Sequence, residues 1–331
     1  MFAKILYQAN VAAIEAEKDP SFRVQNIGWP SESLASLGQF NVGECRRSLF
    51  YKILGLGYTN PPKVRIKTIC DAGLMYEDHY LEQFKTSGML VSGQNRIEFE
   101  MPGTTNKVVM SGKTDFLIRD DKVFKLIECK TVHGYKADMV FGSKGSIPLP
   151  AANNLMQAMS YKWYTISNKI DGLTVAEMYL MYINRGDGTV IYFRIDLDSE
   201  GYAIITPILM DGTELATIKC KDIQGYDALL SDGVTHKAID SRLADLKIKI
   251  SDIFEKFDNT YSYARNKVLP PKDYTLSFNQ EELERNLKVG RISKQKYNQH
   301  IKGEQTCGDF RCAFCSYLKR CLGDDGIKLK D

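Results

Sequence analysis

An α/β fold, a mixed β-sheet with helices packed against it, is predicted by three features of this 331-residue chain. Apolar runs at Val108-Val109-Met110 and Val123-Phe124-Lys125-Leu126-Ile127 flank the polar reversal Asp120-Asp121, the pattern of a β-hairpin. A second hairpin is written at 176–183 and 189–195 around Asp187-Gly188, and its strands would extend the same sheet. Helical segments stand on either side of the first hairpin, at 72–81 and from Asn153 onward after Pro148 and Pro150. With 44% hydrophobic residues, a chain of this length can bury the core of one large domain or two smaller ones.

In chain order, residues 1–40 form a variable start, with a loop expected over 26–31. Residues 41–57 read as a helix carrying Cys45, stopped near Gly55 and Gly57. The two hairpins and their flanking helices occupy 70–200. Between Ser241 and Asn266, Leu243, Leu246, Ile250, Ile253, Phe254 and Phe257 recur at three- and four-residue steps, which predicts one long amphipathic helix ended by Pro270-Pro271. Residues 278–302, rich in Lys, Gln, Asn and Glu, predict a helical pair ahead of a cysteine-rich tail. This divides the chain into an N-terminal helical segment at 1–69, a core at 70–200 and a C-terminal helical region at 201–331. There is no internal repeat.

The first hairpin carries the chemistry. It sets Asp115 on one strand and Glu128-Cys129-Lys130 on the other, and strand alternation points Glu128 and Lys130 to one face with Cys129 facing away. Two carboxylates suit a hard, oxygen-seeking cation such as Mg²⁺, and an adjacent ammonium can orient a water or neutralise charge on a phosphate. Upstream, Gly73 stands four residues before Glu77 on the 72–81 helix; downstream, Gln157 and Tyr161 share a helical face at i, i+4.

In the order Gly73…Glu77, Asp115, Glu128-x-Lys130, Gln157…Tyr161, the chain resembles the PD-(D/E)xK nuclease superfamily, and within it the RecB-like group, over roughly 70–165. The resemblance implies a restriction-endonuclease-like core. It also implies Mg²⁺ or Mn²⁺ held by Asp115, Glu128 and Glu77 with the backbone carbonyl of Cys129, Lys130 acting on the attacking water, and Gln157 and Tyr161 beside the substrate. Some relatives place a histidine at the first motif, which makes His79 the second choice there after Glu77. Such enzymes hydrolyse DNA, usually as exonucleases at DNA ends in recombination, repair, phage replication or spacer acquisition, and leave a 5′-phosphate. A helicase or recombination partner is the expected company.

Half of the eight cysteines crowd into the tail, as Cys307, Cys312, Cys315 and Cys321. C-x₂-C followed by C-x₅-C is metal or iron–sulfur spacing, because close cysteine pairs bring two thiolates to one centre. The chain is similar here to the iron–sulfur branch of the RecB-like nucleases, the group of AddB and the CRISPR-associated adaptation nucleases. In that branch one cysteine precedes the core and three follow it. The resemblance implies a [4Fe–4S] cluster on Cys45, Cys312, Cys315 and Cys321, a staple between the chain's two ends. Cys307 with the three tail cysteines imitates instead the plant-type ferredoxin spacing.

Other features set limits. No apolar run approaches the ~20 residues of a membrane helix, and Met1-Phe2-Ala3-Lys4 opens no signal peptide, so reduced cysteines in a cytoplasm are expected. The net charge of +3 does not mark a nucleic-acid binder, although Arg46-Arg47, Lys63 to Lys67 and Lys288 to Lys296 could line a phosphate track. Ser111-Gly112-Lys113-Thr114 ends like a P-loop but has Lys107 where the first glycine is required, so no nucleotide cofactor is expected. His133 and His236 are isolated, and Cys70, Cys129 and Cys220 lack metal spacing. The alternative is a non-catalytic DNA-binding or scaffold protein with a local zinc-ribbon tail.

Overall fold

The computed structural model describes residues 45–60, 64–142 and 146–325, together with three short strands upstream: β1 (Ile27–Gly28), β2 (Leu34–Leu37) and β3 (Phe40–Gly43). Helix α1 (Arg46–Ile53) starts directly after Cys45, and α2 (Val64–Thr86) is a long helix leading to β4 (Leu90–Glu100). The expected hairpin follows as β5 (Val109–Asp120) and β6 (Val123–Val132). Its turn is tight because Asp120 pairs with Val123 and Asp121 takes a left-handed φ of 52°, a conformation that Asp tolerates better than most residues. Helices α3 (Tyr135–Phe141) and α4 (Ala152–Ser167) precede the second hairpin, β7 (Val175–Asn184) and β8 (Val190–Leu197). Strands β9 (Ala203–Leu209) and β10 (Ile218–Lys219) continue the sheet, so the boundary expected at residue 200 falls inside it.

The sheet has eight strands in the order β1-β5-β6-β7-β8-β9-β10, with β4 also paired to β5. It is mixed: β6 and β7 run parallel across the α4 connection, whereas β4–β5, β5–β6, β7–β8 and β8–β9 are antiparallel. Helices cover both faces, as the α/β reading expects. On one face α4 lays Leu155, Met156, Ala158 and Met159 against Leu126, Met178 and Leu180, all essentially inaccessible to water. On the other, Tyr76, Tyr80, Leu81 and Phe84 of α2 cover Phe116, Ile127, Cys129 and Met181. Truncating any of the buried leucines or methionines to alanine would cost about 2–5 kcal/mol.

The single helix expected over 241–266 is two: α6 (Ala238–Ala244), preceded by α5 (Tyr226–Ser231), and then α7 (Ile250–Arg265). Between them the Asp245 carboxylate is drawn to Arg291 and Tyr226, Lys249 bridges to Tyr202, and the Lys249 amide bonds Asp252 at 3.2 Å to start α7. The expected helical pair is α8 (Gln280–Lys288) and α9 (Lys294–Ile301), and the tail folds as α10 (Phe310–Ala313) and α11 (Leu318–Asp324). Of the loop expected over 26–31, residues 27 and 28 form β1 and the others lie outside the described residues. Among the described residues no helix is long and apolar enough to cross a membrane.

Candidate active site

Strands β5 and β6 stay paired only from Asp120–Val123 to Phe116–Ile127. The next residue on each strand is Asp115 and Glu128, so the two carboxylates stand where the ladder opens. In place of a ladder bond, the backbone N–H of Cys129 donates to the Asp115 carboxylate at 2.7 Å. The resemblance implies a metal contact for the Cys129 carbonyl; the amide of that residue is engaged by Asp115, and its side chain packs into the opposite apolar face. Glu128 and Lys130 share a face as alternation requires, and the ammonium donates to Glu128 Oε1 at 2.5 Å.

Burial gives this group its electrostatics. Asp115 and Glu128 are 8% and 2% exposed. Burial, with the neighbouring Asp115 and Glu77 charges adding to it, pushes the Glu128 carboxyl up to about 8, against the downward pull of Lys130. Glu77, brought over from α2, is raised to about 7 by burial and then by Asp115. Asp115 is raised by burial, although Lys130 and the Cys129 amide oppose this. Lys130 is held protonated, its desolvation outweighed by Glu128 and Asp115. The structure therefore brings Glu77, Asp115, Glu128 and Lys130 within one electrostatic neighbourhood.

Helix α4 closes it. Gln157 Nε2 donates to Glu128 Oε1 at 2.6 Å and meets the Tyr161 hydroxyl at 3.2 Å, and that hydroxyl donates to the Lys113 carbonyl at 2.7 Å. Both side chains are buried. Their visible work is to clamp Glu128 to β5, a relation that motif spacing did not announce because a backbone carbonyl has no sequence signature. With Lys130 and Gln157 both on Oε1, Glu128 Oε2 is left buried with no hydrogen-bond partner, a costly state for a carboxylate oxygen. Gly73 faces Thr131 of β6, where a Cβ would stand 3.6 Å from Thr131 Oγ1, an ordinary contact, so the packing alone does not require glycine there. His79 is not part of the group: it is exposed, with its ring nitrogen 2.9 Å from Gln83 on the same helix.

The second expected site is a cavity of about 480 Å³ lined by Cys45, Cys312, Cys315 and Cys321. All four are free thiols, and burial followed by Cys321, Cys315 and Cys45 raises Cys312 to about 12. Hydrogen bonds point at the sulfurs: Arg47 Nη1 lies 3.6 Å from Cys321 Sγ, and the Tyr317 amide 3.4 Å from Cys315 Sγ. Cys307 does not line the cavity; its amide bonds His300 Nδ1 at 2.9 Å, and its charged neighbours are Lys296 and Asp309. The cavity and the carboxylates adjoin, because Asn153 lines the former one helical turn before Gln157 reaches Glu128.

The basic runs proposed as a phosphate track are engaged in part within the fold, while Lys294 and Lys296 are exposed. Arg46 pairs with Asp273 at 2.9 Å, Arg47 with Asp325 at 2.6 Å, Arg291 with Asp245, and Lys288 with the Leu230 carbonyl. The side chains of Lys63, Arg65 and Lys67 lie outside those described. Each of these cations latches two segments of the fold together.

No family model and no curated protein matches the chain. A crystal structure described as that of SSO0001 is similar to it at 14% identity, over 59% of this chain and 77% of that one, with a TM-score of 0.34.

Among the described residues, no three His, Cys, Asp or Glu side chains form a ready-made metal cage. The donor chemistry nevertheless fits a hard cation at the carboxylates: an unpartnered buried Oε2 on Glu128, and two glutamates pushed upward by burial and mutual repulsion. At the cavity, four reduced cysteines with N–H groups aimed at two of them fit a thiolate-bound centre.

Proposed function

We propose that this protein is a metal-dependent DNA nuclease of the PD-(D/E)xK superfamily, restriction-endonuclease-like in its core, with a structural [4Fe–4S] cluster. The observation that carries the reading is the placement of Asp115 and Glu128 where β5 and β6 part, with Glu77, Lys130 and Gln157 around them. An acidic group in a solvated surface pair would not be buried to this degree with one oxygen unpartnered.

Asp115, Glu128 and Glu77 are the residues that would hold Mg²⁺ or Mn²⁺. When bound, such an ion lowers the pKa of a coordinated water and offsets charge on a phosphate. Lys130, kept protonated by the carboxylates, acts as a hydrogen-bond donor that orients the attacking water and the phosphate rather than as a base. Gln157 and Tyr161 hold Glu128 and β5 in one position, which keeps the carboxylates ready before substrate arrives.

Cys45, Cys312, Cys315 and Cys321 would hold the cluster as a staple between α1 and the tail. Polypeptide contacts run the same way: the Tyr51 hydroxyl donates to Asp324 at 2.7 Å, and the Thr59 and Asn60 amides to the Ser316 carbonyl at 2.9 and 2.8 Å.

Digestion of end-labelled single- and double-stranded DNA with Mg²⁺ or Mn²⁺, with a chelator control, tests the reading. Metal-dependent shortening of the label is expected in the wild type and not in Asp115→Ala. No cleavage under any of these conditions would overturn it.

A further inference from the structure

We propose that Lys113 forms a phosphate subsite beside the carboxylates, gripping the backbone of a DNA strand next to the reacting phosphate. This rests on the nuclease reading for the identity of the ligand.

Arg96 of β4 stands directly opposite Lys113 of β5 in the antiparallel ladder. Two cations directly opposite each other weaken a sheet unless their charge is offset. Arg96 is compensated: its Nη2 and Nε meet Glu98 Oε1 at 2.6 and 3.0 Å. Lys113 is not. Its side chain is exposed and makes no ion pair or hydrogen bond among the described residues, whereas Lys125, Lys130 and Lys162 of the neighbouring elements are each paired with a carboxylate.

Its position is aimed and fixed. Strand alternation puts Lys113 on the same face as Asp115, about 7 Å along the strand. Its carbonyl is clamped by the Tyr161 hydroxyl at 2.7 Å, so the backbone that carries the ammonium has one place relative to Glu128. Across from Asp115, Gln94 adopts a left-handed φ of 56°, an uncommon conformation for a non-glycine residue. A phosphate held at Asp115 and Glu128 thus leaves its neighbour on the strand within reach of the lysine.

The test uses the full-length protein. Binding of a fluorescein-labelled oligothymidylate to Asp115→Asn is followed by anisotropy at several salt concentrations, with and without Lys113→Ala, Lys113→Arg or Lys113→Glu. Lys113→Ala should weaken binding roughly tenfold and reduce the salt slope by about 0.7, Lys113→Arg should restore both, and Lys113→Glu should be worse. With Asp115 present, KM for DNA should rise while kcat holds, and hydrolysis of bis(p-nitrophenyl) phosphate, which has no neighbouring phosphate, should not change. Inorganic phosphate should compete weakly with the strand in the parent and less in Lys113→Ala. Unchanged affinity and salt slope in Lys113→Ala and Lys113→Glu, or no binding of the strand by the parent, would overturn the subsite. A protein that binds the strand through Lys113 and cleaves nothing would overturn the nuclease reading alone.

Discussion

The Asp115 carboxylate accepts a hydrogen bond from the Cys129 amide at 2.7 Å, at the point where β5 and β6 stop pairing. One side chain therefore does two things: it satisfies a buried backbone donor, and it supplies charge. The two can be separated. Asp115→Asn retains an acceptor for the amide and removes the charge, whereas Asp115→Ala removes both and leaves the N–H unpaired at a cost of about 1–3 kcal/mol. Both variants should lose DNA cleavage, but only Asp115→Ala should melt clearly lower. Cleavage retained by Asp115→Asn would remove the carboxylate from the chemistry.

Stability should fall with rising pH when metal is chelated. Glu77 and Glu128 have folded-state values of about 7 and about 8, above the ordinary carboxylate value. A group raised on folding contributes stability that is fully present below its unfolded pKa and is lost as pH climbs through the folded one. The melting temperature in chelator should thus decline from about pH 5 to pH 9, and Glu128→Gln should flatten that decline. Added Mg²⁺ displaces the protons, so its stabilising effect should grow over the same interval. Identical pH slopes for wild type and Glu128→Gln in a thermal melt would contradict this.

How much of this was legible depends on the range of the interaction. Asp115, Glu128 and Lys130 could be placed together from sequence because a hairpin with a two-residue turn and a two-residue side-chain period leaves little freedom. Gln157 and Tyr161 could be placed on one helical face for the same kind of reason. Their partner, the Lys113 carbonyl, could not. Strand β4 was hidden because Ser92, Gly93 and Asn95 are turn-forming types, yet the strand persists as the antiparallel neighbour of β5. The break between α6 and α7 was hidden because burial of Leu246 and Ile248 continues the apolar rhythm, while the cause lies far away at Arg291 and Tyr202.

Gln157→Ala and Tyr161→Phe test whether the clamp serves chemistry or only folding. Each removes one link between Glu128 and β5. Orienting partners of this kind commonly change activity by about 10–100-fold, so kcat should fall by that order in both. Tyr161→Phe leaves the Lys113 carbonyl short of one donor, a loss of about 1 kcal/mol in stability. A sharply lowered melting temperature with unchanged activity per folded molecule would make the pair structural.

Cavity lining separates the two cysteine sets that could hold the proposed cluster. Cys45 lines the same cavity as Cys312, Cys315 and Cys321 and adds to the electrostatic pressure on Cys312, whereas Cys307 is absent from that lining and keeps company with His300 and Lys296. Cys45→Ala should therefore strip iron and brown colour from the purified protein. Because the link closes a loop over most of the chain, its loss should also lower stability, by up to about 5 kcal/mol if it behaves as a covalent cross-link. Tyr51 to Asp324 and Arg47 to Asp325 would still tie α1 to α11, so the fold should loosen rather than collapse. Cys307→Ala should keep its iron, its colour and its melting temperature. Iron lost from Cys307→Ala and retained in Cys45→Ala would move the centre to a local C-terminal site and break the proposed connection between the two ends of the chain.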